Sequence, residues 1–179
     1  DGDNKLNMRE YIESNNNQAW NRYLGYVQNS SLINSSTQSY LTYGLRANYW
    51  DFNHELLLCP RISYTYEPNY SYNHKIYNED LPDSLRKPNS RFIFATGAYH
   101  QPAFYREMRN LYGVLNPNIR AQKSWHFIAT NERGVTLWNT PFKLSTSAYY
   151  KYLWDIIPYE FDNTRIRYYA TNNAIGYAY

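Results

Sequence analysis

Hydrophobic and polar positions alternate in one stretch near the C-terminal end of the chain, from Phe142 to Tyr152. Apolar, aromatic or small side chains occupy its even positions, and Lys and Ser occupy most of the odd ones. Alternation with a period of two over about ten residues is what a tilted transmembrane β-strand needs, with lipid on one side and water on the other. The stretch ends in an aromatic cluster of Tyr149, Tyr150, Tyr152 and Trp154. Such clusters are typical of a membrane–water interface.

The same pattern recurs along the chain and predicts about seven strands, with hardly a helical segment among them. Besides the stretch above, we expect strands at about Trp20–Asn29, Tyr40–Trp50, Leu56–Tyr66, Arg91–Tyr99 and Ala121–Glu132, and a last one that starts near Asn173. Pro60 falls inside one of these strands. Because proline cannot donate a backbone hydrogen bond, a bulge or a local edge is expected there.

Consecutive strands of this length are most economically joined as an antiparallel meander. The outer loops 100–118 and 155–172 then lie on the same side of the sheet as the connection 51–55 and residues 1–19, which form an outer loop or a strand end. The opposite side holds the connections 29–39, 67–89 and 133–140. The connection 67–89 holds three prolines and is predicted to be a long loop. It is long for a periplasmic turn.

Composition supports a barrel rather than two other classes of protein. The chain has 22 Tyr, 5 Trp and 7 Phe, yet its mean hydropathy is −0.77. The aromatic content excludes a disordered chain, and the lack of an apolar run of about 18 residues excludes a helical membrane protein. Outer-membrane barrels combine both properties, because only alternate strand residues meet lipid and the long outer loops are polar.

Several segments, in order along the chain, resemble a known family. They are Tyr49–Asn53, Pro60–Tyr64, Tyr99–Glu107, Leu115–Ser124, Trp138–Lys143 and Ala148–Tyr152. Together they resemble the barrel of TonB-dependent outer-membrane receptors, and in particular the large receptors with a carboxypeptidase-like regulatory domain ahead of the plug. The resemblance covers about residues 20–179.

The resemblance implies a larger assembly than this chain. Family members have a transmembrane barrel of about 22 strands, closed by an N-terminal plug domain, and a short periplasmic motif that engages TonB. They import nutrients across the bacterial outer membrane. Since about seven strands cannot close such a barrel, and neither plug nor TonB motif is visible, we expect a fragment of the barrel domain with the plug domain absent. The implied partners are outer-membrane lipid, the rest of the barrel and plug, the TonB system and a surface lipoprotein.

The sequence does not support catalysis, metal binding or nucleic-acid binding. No nucleophile-elbow, Walker or zinc-protease motif occurs, and the four histidines are far apart: His54, His74, His100 and His126. The basic residues are scattered, whereas nucleic-acid binding favours a clustered basic stripe. Cys59 lies inside a strand pattern, away from any catalytic partner, and is interpreted as a structural thiol. We therefore predict no enzyme activity, no metal and no cofactor.

The two outer loops supply the candidate ligand-binding residues, because loops on a rigid scaffold commonly carry recognition. The candidates are His100, Gln101, Arg106, Glu107, Arg109, Asn110, Arg165 and Arg167. The alternative is that these side chains brace the loops. In that case Arg106 and Glu107 pair with neighbouring strands, and the charges of loop 155–172 pair across strands. We favour bracing, and expect loss of Arg106 to destabilise the fold.

A soluble or surface β-sandwich that binds carbohydrate through Tyr and Trp is the alternative function. In a sandwich, one face of each sheet is buried against a second sheet. Here small or polar residues share one face that suits a wet lumen or a plug: Thr42, Gly44, Ser63, Thr65, Ser145 and Ser147. We predict that the opposite, outward face carries Leu41, Tyr43, Leu45, Ile62, Tyr64, Phe92, Phe94, Phe142, Leu144 and Tyr150 and meets lipid.

Overall fold

The computed structural model describes residues 15, 17–80, 82–162 and 165–179, so the predicted outer segment 1–19 lies mostly outside the described residues. The strands of the described part are β1 Arg22–Asn34, β2 Ser39–Trp50, β3 Glu55–Tyr66, β4 Ser90–Gln101, β5 Gln122–Leu137, β6 Thr140–Ile156, β7 Tyr159–Asp162, β8 Arg165–Tyr168 and β9 Ala174–Ala178. A helix, α1 (Tyr70–Asn78), and a short 3-10 turn at Asp83–Leu85 lie between β3 and β4.

Seven strands form one antiparallel sheet in the order β1-β2-β3-β4-β5-β6-β9, and β7 and β8 form a separate two-stranded sheet. The predicted all-β class and the antiparallel meander of about seven strands are therefore confirmed. Three strands are longer than predicted, since β1 continues to Asn34, β5 to Leu137 and β6 to Ile156. Strands β5 and β6 meet in a tight turn at Trp138 and Asn139, whose φ angles of 48° and 58° are the left-handed values typical of such hairpins.

The connection 67–89 is more structured than its prolines predict, because residues 70–78 form helix α1. Asn73 fastens this helix to the returning chain: its Nδ2 donates to the Lys87 carbonyl (2.9 Å), and its Oδ1 accepts from the Lys87 N–H (3.0 Å). The segment is rich in Asn and Tyr, which are poor helix formers, so the sequence gives little helical signal. Among the residues that the structure describes, helices lack the length and hydrophobicity that a membrane crossing needs.

The antiparallel order gives the sheet two distinct ends, as predicted. We call one the loop end, where the connections 51–54, 102–121 and 157–173 lie, and the other the turn end, with 35–38, 67–89 and 138–139. The buried apolar core of the described residues lies at the loop end. It is formed by Trp50, Ala103, Met108, Ile119, Ile157 and Ala170, and Trp20, Phe52, Leu115 and Tyr168 pack against it. The core therefore holds the long connections against the end of the sheet, and it does not lie between two sheets.

Cross-strand register places apolar side chains on one face, which we call the apolar face. One row crosses β2 to β6 through Tyr43, Ile62, Thr96, Phe127 and Tyr150. The ten residues predicted to share an outward face all belong to this face. Leu45, Ile62 and Phe94 are 42%, 44% and 52% exposed. The backbones of β7 and β8 lie apart from the strands of the large sheet, so no second sheet covers this face in the described part of the chain.

Pro60 produces the local edge that its position predicts. Strand β3 pairs with β2 through Pro60, which lies opposite Leu45, but its pairing with β4 covers only Arg61 to Tyr66. The missing proline donor thus coincides with the point where one of the two ladders ends.

Candidate functional site

The connection 102–121 at the loop end is folded around the carboxylate of Glu107, which is 8% exposed. Its Oε2 accepts a hydrogen bond from the backbone N–H of Phe104 (2.7 Å), and its Oε1 accepts one from Nε2 of Gln122 (3.3 Å). The backbone N–H of Glu107 donates in turn to the Phe104 carbonyl (2.9 Å). Glu107 therefore closes the turn at 104–107 and fastens it to the first residue of β5.

Arg106 precedes Glu107 but has a different environment. Its side chain is exposed, and no described residue forms a hydrogen bond or ion pair with it. The predicted bracing by Arg106 is therefore wrong, whereas bracing by Glu107 is confirmed. The physical reason is that neighbouring side chains of a tight turn project to different sides, so that burial of the Glu107 carboxylate leaves Arg106 in solvent.

We expect Glu107→Ala to lower the free energy of unfolding of the full-length protein by about 2 kcal/mol, because the Phe104 N–H and the Gln122 amide lose their acceptor. Arg106→Ala is the matched control and should change it by less than about 0.5 kcal/mol, as exposed side chains usually do. Urea unfolding followed by tryptophan fluorescence measures both changes. Equal losses for the two variants would show that Arg106 supports the loop.

Arg109 and Asn110 shape the tip of the same connection. The Asn110 Oδ1 accepts hydrogen bonds from the backbone N–H groups of Tyr112 and Val114, both at 3.0 Å. Gly113 sits in this turn with a φ of 77°, a value that glycine adopts without strain. The Arg109 guanidinium carbon lies 4.7 Å from the centre of the Tyr105 ring. Asn110 is thus a turn former, and Arg109 presents a stacked cation.

A cluster of charges that the sequence did not indicate joins three strands at the loop end, and we call Glu55, Lys123 and Asp155 the rim cluster. The Lys123 Nζ lies 2.8 Å from Oδ2 of Asp155 and 3.1 Å from Oε1 of Glu55, and the three side chains are only 13–17% exposed. Glu55 Oε2 also accepts from the backbone N–H of Ala121 (2.8 Å). The rim cluster therefore ties β3, β5 and β6 together where the connections leave the sheet.

The segment Leu115–Ser124, which carries part of the family resemblance, connects the two outer loops. Asn116 Nδ2 donates to the Ala170 carbonyl (2.8 Å), and the Arg120 N–H donates to Oδ1 of Asn172 (2.7 Å). Ile119 is fully buried. These contacts make 102–121 and 157–173 one structural unit, which gives the segment a role in packing.

The connection 155–172 contains the hairpin of β7 and β8, in which the predicted cross-strand charge pairing is confirmed for one pair. Glu160 lies opposite Arg167, and their Oε1 and Nε atoms are 3.9 Å apart. The Tyr169 hydroxyl donates to Oε2 of Glu160 (2.6 Å), and this hydrogen bond raises the pKa of the Tyr169 phenol. Arg165 is exposed.

Cys59 has a histidine neighbour that the sequence did not predict. Its Sγ lies 2.9 Å from Nδ1 of His100, although the two residues are far apart in the chain. The expectation that Cys59 lies away from any such partner is therefore wrong. Cys59 itself is only 3% exposed. Gln101, the next residue after His100, is exposed at the end of β4.

The comparisons with known proteins give no assignment, since no protein-family model, curated protein or solved structure matches this chain. The interpretation of the site therefore depends on its own geometry. Gln101, Arg106 and Arg165 are exposed at the loop end. The other candidates make contacts within the chain: His100, Glu107, Arg109, Asn110 and Arg167.

The exposed side chains at the loop end can make polar contacts with a ligand. Exposed guanidinium and amide groups can donate hydrogen bonds to a solute, and the braced connections hold them on a rigid support. Within the described ranges, no three His, Cys, Asp or Glu side chains come together as metal ligands would.

Proposed function

We propose that this chain forms part of the barrel wall of a TonB-dependent receptor in a bacterial outer membrane, and that the receptor imports a nutrient. The observation that carries the proposal is the half-exposed apolar face, whose rows run in register across the strands. The family resemblance of residues 20–179 supports the same assignment. The lipid bilayer is the partner of the apolar face, and the rest of the barrel and the plug are the partners of the sheet edges and the polar face.

The size of the apolar face favours lipid over water. Contiguous exposed apolar patches above a few hundred Å² are rare in soluble monomers and mark interaction surfaces. Here large side chains stay exposed on successive strands, with Phe94 at 52%, Phe127 at 50% and Leu144 at 55%. A lipid-facing position accounts for such residues without a second layer of protein.

Aromatic rings gather near the loop end of the apolar face. The ring centres of Tyr152 and Trp154 are 5.6 Å apart, and those of Tyr152 and Tyr177 are 5.5 Å apart. On the same face near the opposite edge of the sheet, the ring centres of Tyr23 and Tyr49 are 6.3 Å apart. Aromatic girdles of this kind are typical of the interface between the hydrocarbon core and the head groups, which supports an outward position of the loop end.

The opposite face suits a wet lumen. Hydroxyl groups pair across strands there, with Ser30 Oγ 2.9 Å from Thr42 Oγ1 and Thr130 Oγ1 2.9 Å from Ser147 Oγ. A β-sandwich that binds carbohydrate is the alternative, and it requires a second sheet over the apolar face. In the described residues the other sheet is the hairpin β7–β8, which lies apart from that face. The receptor is therefore the function that the geometry supports better.

The proposal assigns different roles to the loop-end residues. Glu107, Asn110 and the rim cluster hold the connections in place. Arg106 and Arg165 are the exposed cations that a substrate above the barrel would meet first. The structure of the connections thus favours a rigid outer surface that presents a few charged side chains.

Localisation of the full-length protein tests the proposal. We expect the protein in the outer-membrane fraction, and we expect its gel mobility to change on boiling, because folded barrels stay compact in detergent. The matched control is a known soluble β-sandwich from the same cells. Recovery of the protein as a soluble monomer whose mobility does not change on boiling would contradict the receptor function and favour the sandwich.

A further inference from the structure

A small pocket on the polar face near the loop end is lined by arginines and by no carboxylate among the described residues. Its volume is about 210 Å³, and Arg22, Arg46 and Arg61 contribute to its walls together with Trp50, Tyr99 and His100. We call it the arginine pocket. This volume is well above what a single water molecule needs, so the pocket has room for a small solute.

The three arginines of the arginine pocket are exposed and form no ion pair with a described residue. Arg22 lies over the Trp50 ring at 5.2 Å and Arg61 over the Tyr99 ring at 4.3 Å, but no hydrogen bond or ion pair joins Arg22, Arg46 or Arg61 to a described residue. Stacking on a ring orients a guanidinium and leaves its N–H donors free.

Several carboxylates of the sheet form ion pairs with cations outside the arginine pocket. Glu55 and Asp155 bind Lys123 in the rim cluster, at 3.1 Å and 2.8 Å. At the turn end, Glu67 pairs with Arg91 at 2.8 Å and Glu132 with Lys143 at 2.9 Å. These four carboxylates are thus paired with cations other than the arginines of the pocket, and Asp51 at the loop end accepts hydrogen bonds from Asn21.

The backbone around Arg61 is shaped to hold its side chain low on the sheet. Gly44 and Gly97 lie opposite Arg61 on the two neighbouring strands. A Cβ at Gly97 would lie 2.9 Å from Cγ of Arg61 and 3.0 Å from the Pro60 carbonyl, and one at Gly44 would lie 2.9 Å from the Val27 carbonyl. Any larger residue at these positions would have to displace backbone. The absence of a side chain at Gly97 therefore lets Arg61 lie across Gly97 toward Tyr99, whereas Gly44 allows close approach to β1.

Two further features point to an acceptor-bearing ligand. Arg46 lies opposite Cys59 and Arg61 opposite Gly44, so the two arginines are diagonal neighbours on β2 and β3, about 7 Å apart at the backbone. That spacing lets two long side chains converge on one group. In addition, Trp50 lines the pocket, and its buried Nε1–H has no hydrogen-bond partner among the described residues.

We propose that the arginine pocket binds an oxyanion group of a small solute, a carboxylate, phosphate or sulfate, through the guanidinium groups of Arg46 and Arg61. Guanidinium forks match the geometry of these groups and form strong charge-assisted hydrogen bonds with them. Binding would also supply the counter-charge that the three arginines lack. The proposal depends only on the polar face of the sheet. It therefore holds whether or not the apolar face meets lipid.

Calorimetric titration of the full-length protein in detergent at low ionic strength tests the proposal, with inorganic phosphate and malonate as probes. We expect the wild type to bind at least one probe. The double variant R46Q/R61Q should bind it roughly ten- to hundredfold more weakly, because charge-assisted hydrogen bonds are lost. Arg133→Gln is the matched control, since Arg133 is exposed outside the pocket, and it should bind as the wild type does.

Each outcome decides the question. Absence of binding of both probes by the wild type, or equal affinity of R46Q/R61Q, would overturn the proposal. Binding of phosphate alone identifies the phosphate or sulfate class of ligand, and binding of malonate alone identifies carboxylates. If the double variant does not fold, the single variant R46Q is titrated instead, with the same expected loss of about tenfold. Failure of the receptor function would appear in the localisation experiment and not in this titration.

Discussion

Replacing Lys123 with alanine is expected to lower the free energy of unfolding of the full-length protein by about 3 kcal/mol. The Lys123 ammonium lies between the carboxylates of Asp155 and Glu55, at 2.8 Å and 3.1 Å, and all three side chains are at most 17% exposed. Without Lys123 the Glu55 carboxylate has no cation partner among the described residues, and Asp155 keeps only its 3.3 Å ion pair with Arg120. Removal of one member of a buried charge cluster typically costs about 3–5 kcal/mol. We expect the lower value because the rim cluster lies at the end of the sheet.

Lys143→Ala is the matched control for this prediction. The Lys143 Nζ also makes a short ion pair, 2.9 Å from Oε2 of Glu132, but its side chain is 66% exposed. An exposed pair contributes only about 0–1 kcal/mol. Equilibrium unfolding of both variants in urea gives the two values. If Lys123→Ala costs no more than Lys143→Ala, the rim cluster does not hold the loop end together.

The sheet was predictable from the sequence because its signal is local. Alternation with a period of two, as between Phe142 and Tyr152, assigns each side chain to a face without knowledge of the partner strand. The ends of the strands were less predictable. The stretch Ser30–Ser31 has the composition of a turn, yet both residues pair with β2, opposite Thr42 and Leu41. Tertiary pairing overrode local composition at this position.

The loop-end site could not be predicted because its contacts join distant parts of the chain. Glu55, Lys123 and Asp155 meet only after three strands are in register, and no spacing in the sequence indicates this. Glu107 and Arg106 are adjacent, and periodicity cannot tell which of two neighbouring turn residues is buried. The sequence held one hint of the rim cluster: Lys123 is at the predicted start of a strand, within the segment Leu115–Ser124 that carries part of the family resemblance.

Ala148→Arg is expected to lower the free energy of unfolding of the membrane-assembled protein by about 2–4 kcal/mol, the cost of an arginine on the lipid face near the bilayer midplane. Ala148 lies at the centre of β6 (Thr140–Ile156), and it is aligned with Ala129 and Phe94 on the apolar face. It is exposed, so the substitution creates no steric overlap within the described protein. The penalty therefore reports the environment of the face.

Ser147→Arg is the matched control, because Ser147 is also small and exposed but lies on the opposite face, across from Thr130. An arginine there would extend into a wet lumen and should cost less than about 1 kcal/mol, including the loss of the 2.9 Å contact between the two hydroxyl oxygens.

The decisive measurement is the difference in unfolding free energy between Ala148→Arg and Ser147→Arg, determined for the full-length protein in lipid bilayers by denaturant titration. If the apolar face meets lipid, Ala148→Arg is the less stable variant by about 2 kcal/mol or more. Equal stabilities, or a larger loss for Ser147→Arg, would contradict a lipid-facing sheet and with it the assignment of this chain to a transmembrane barrel.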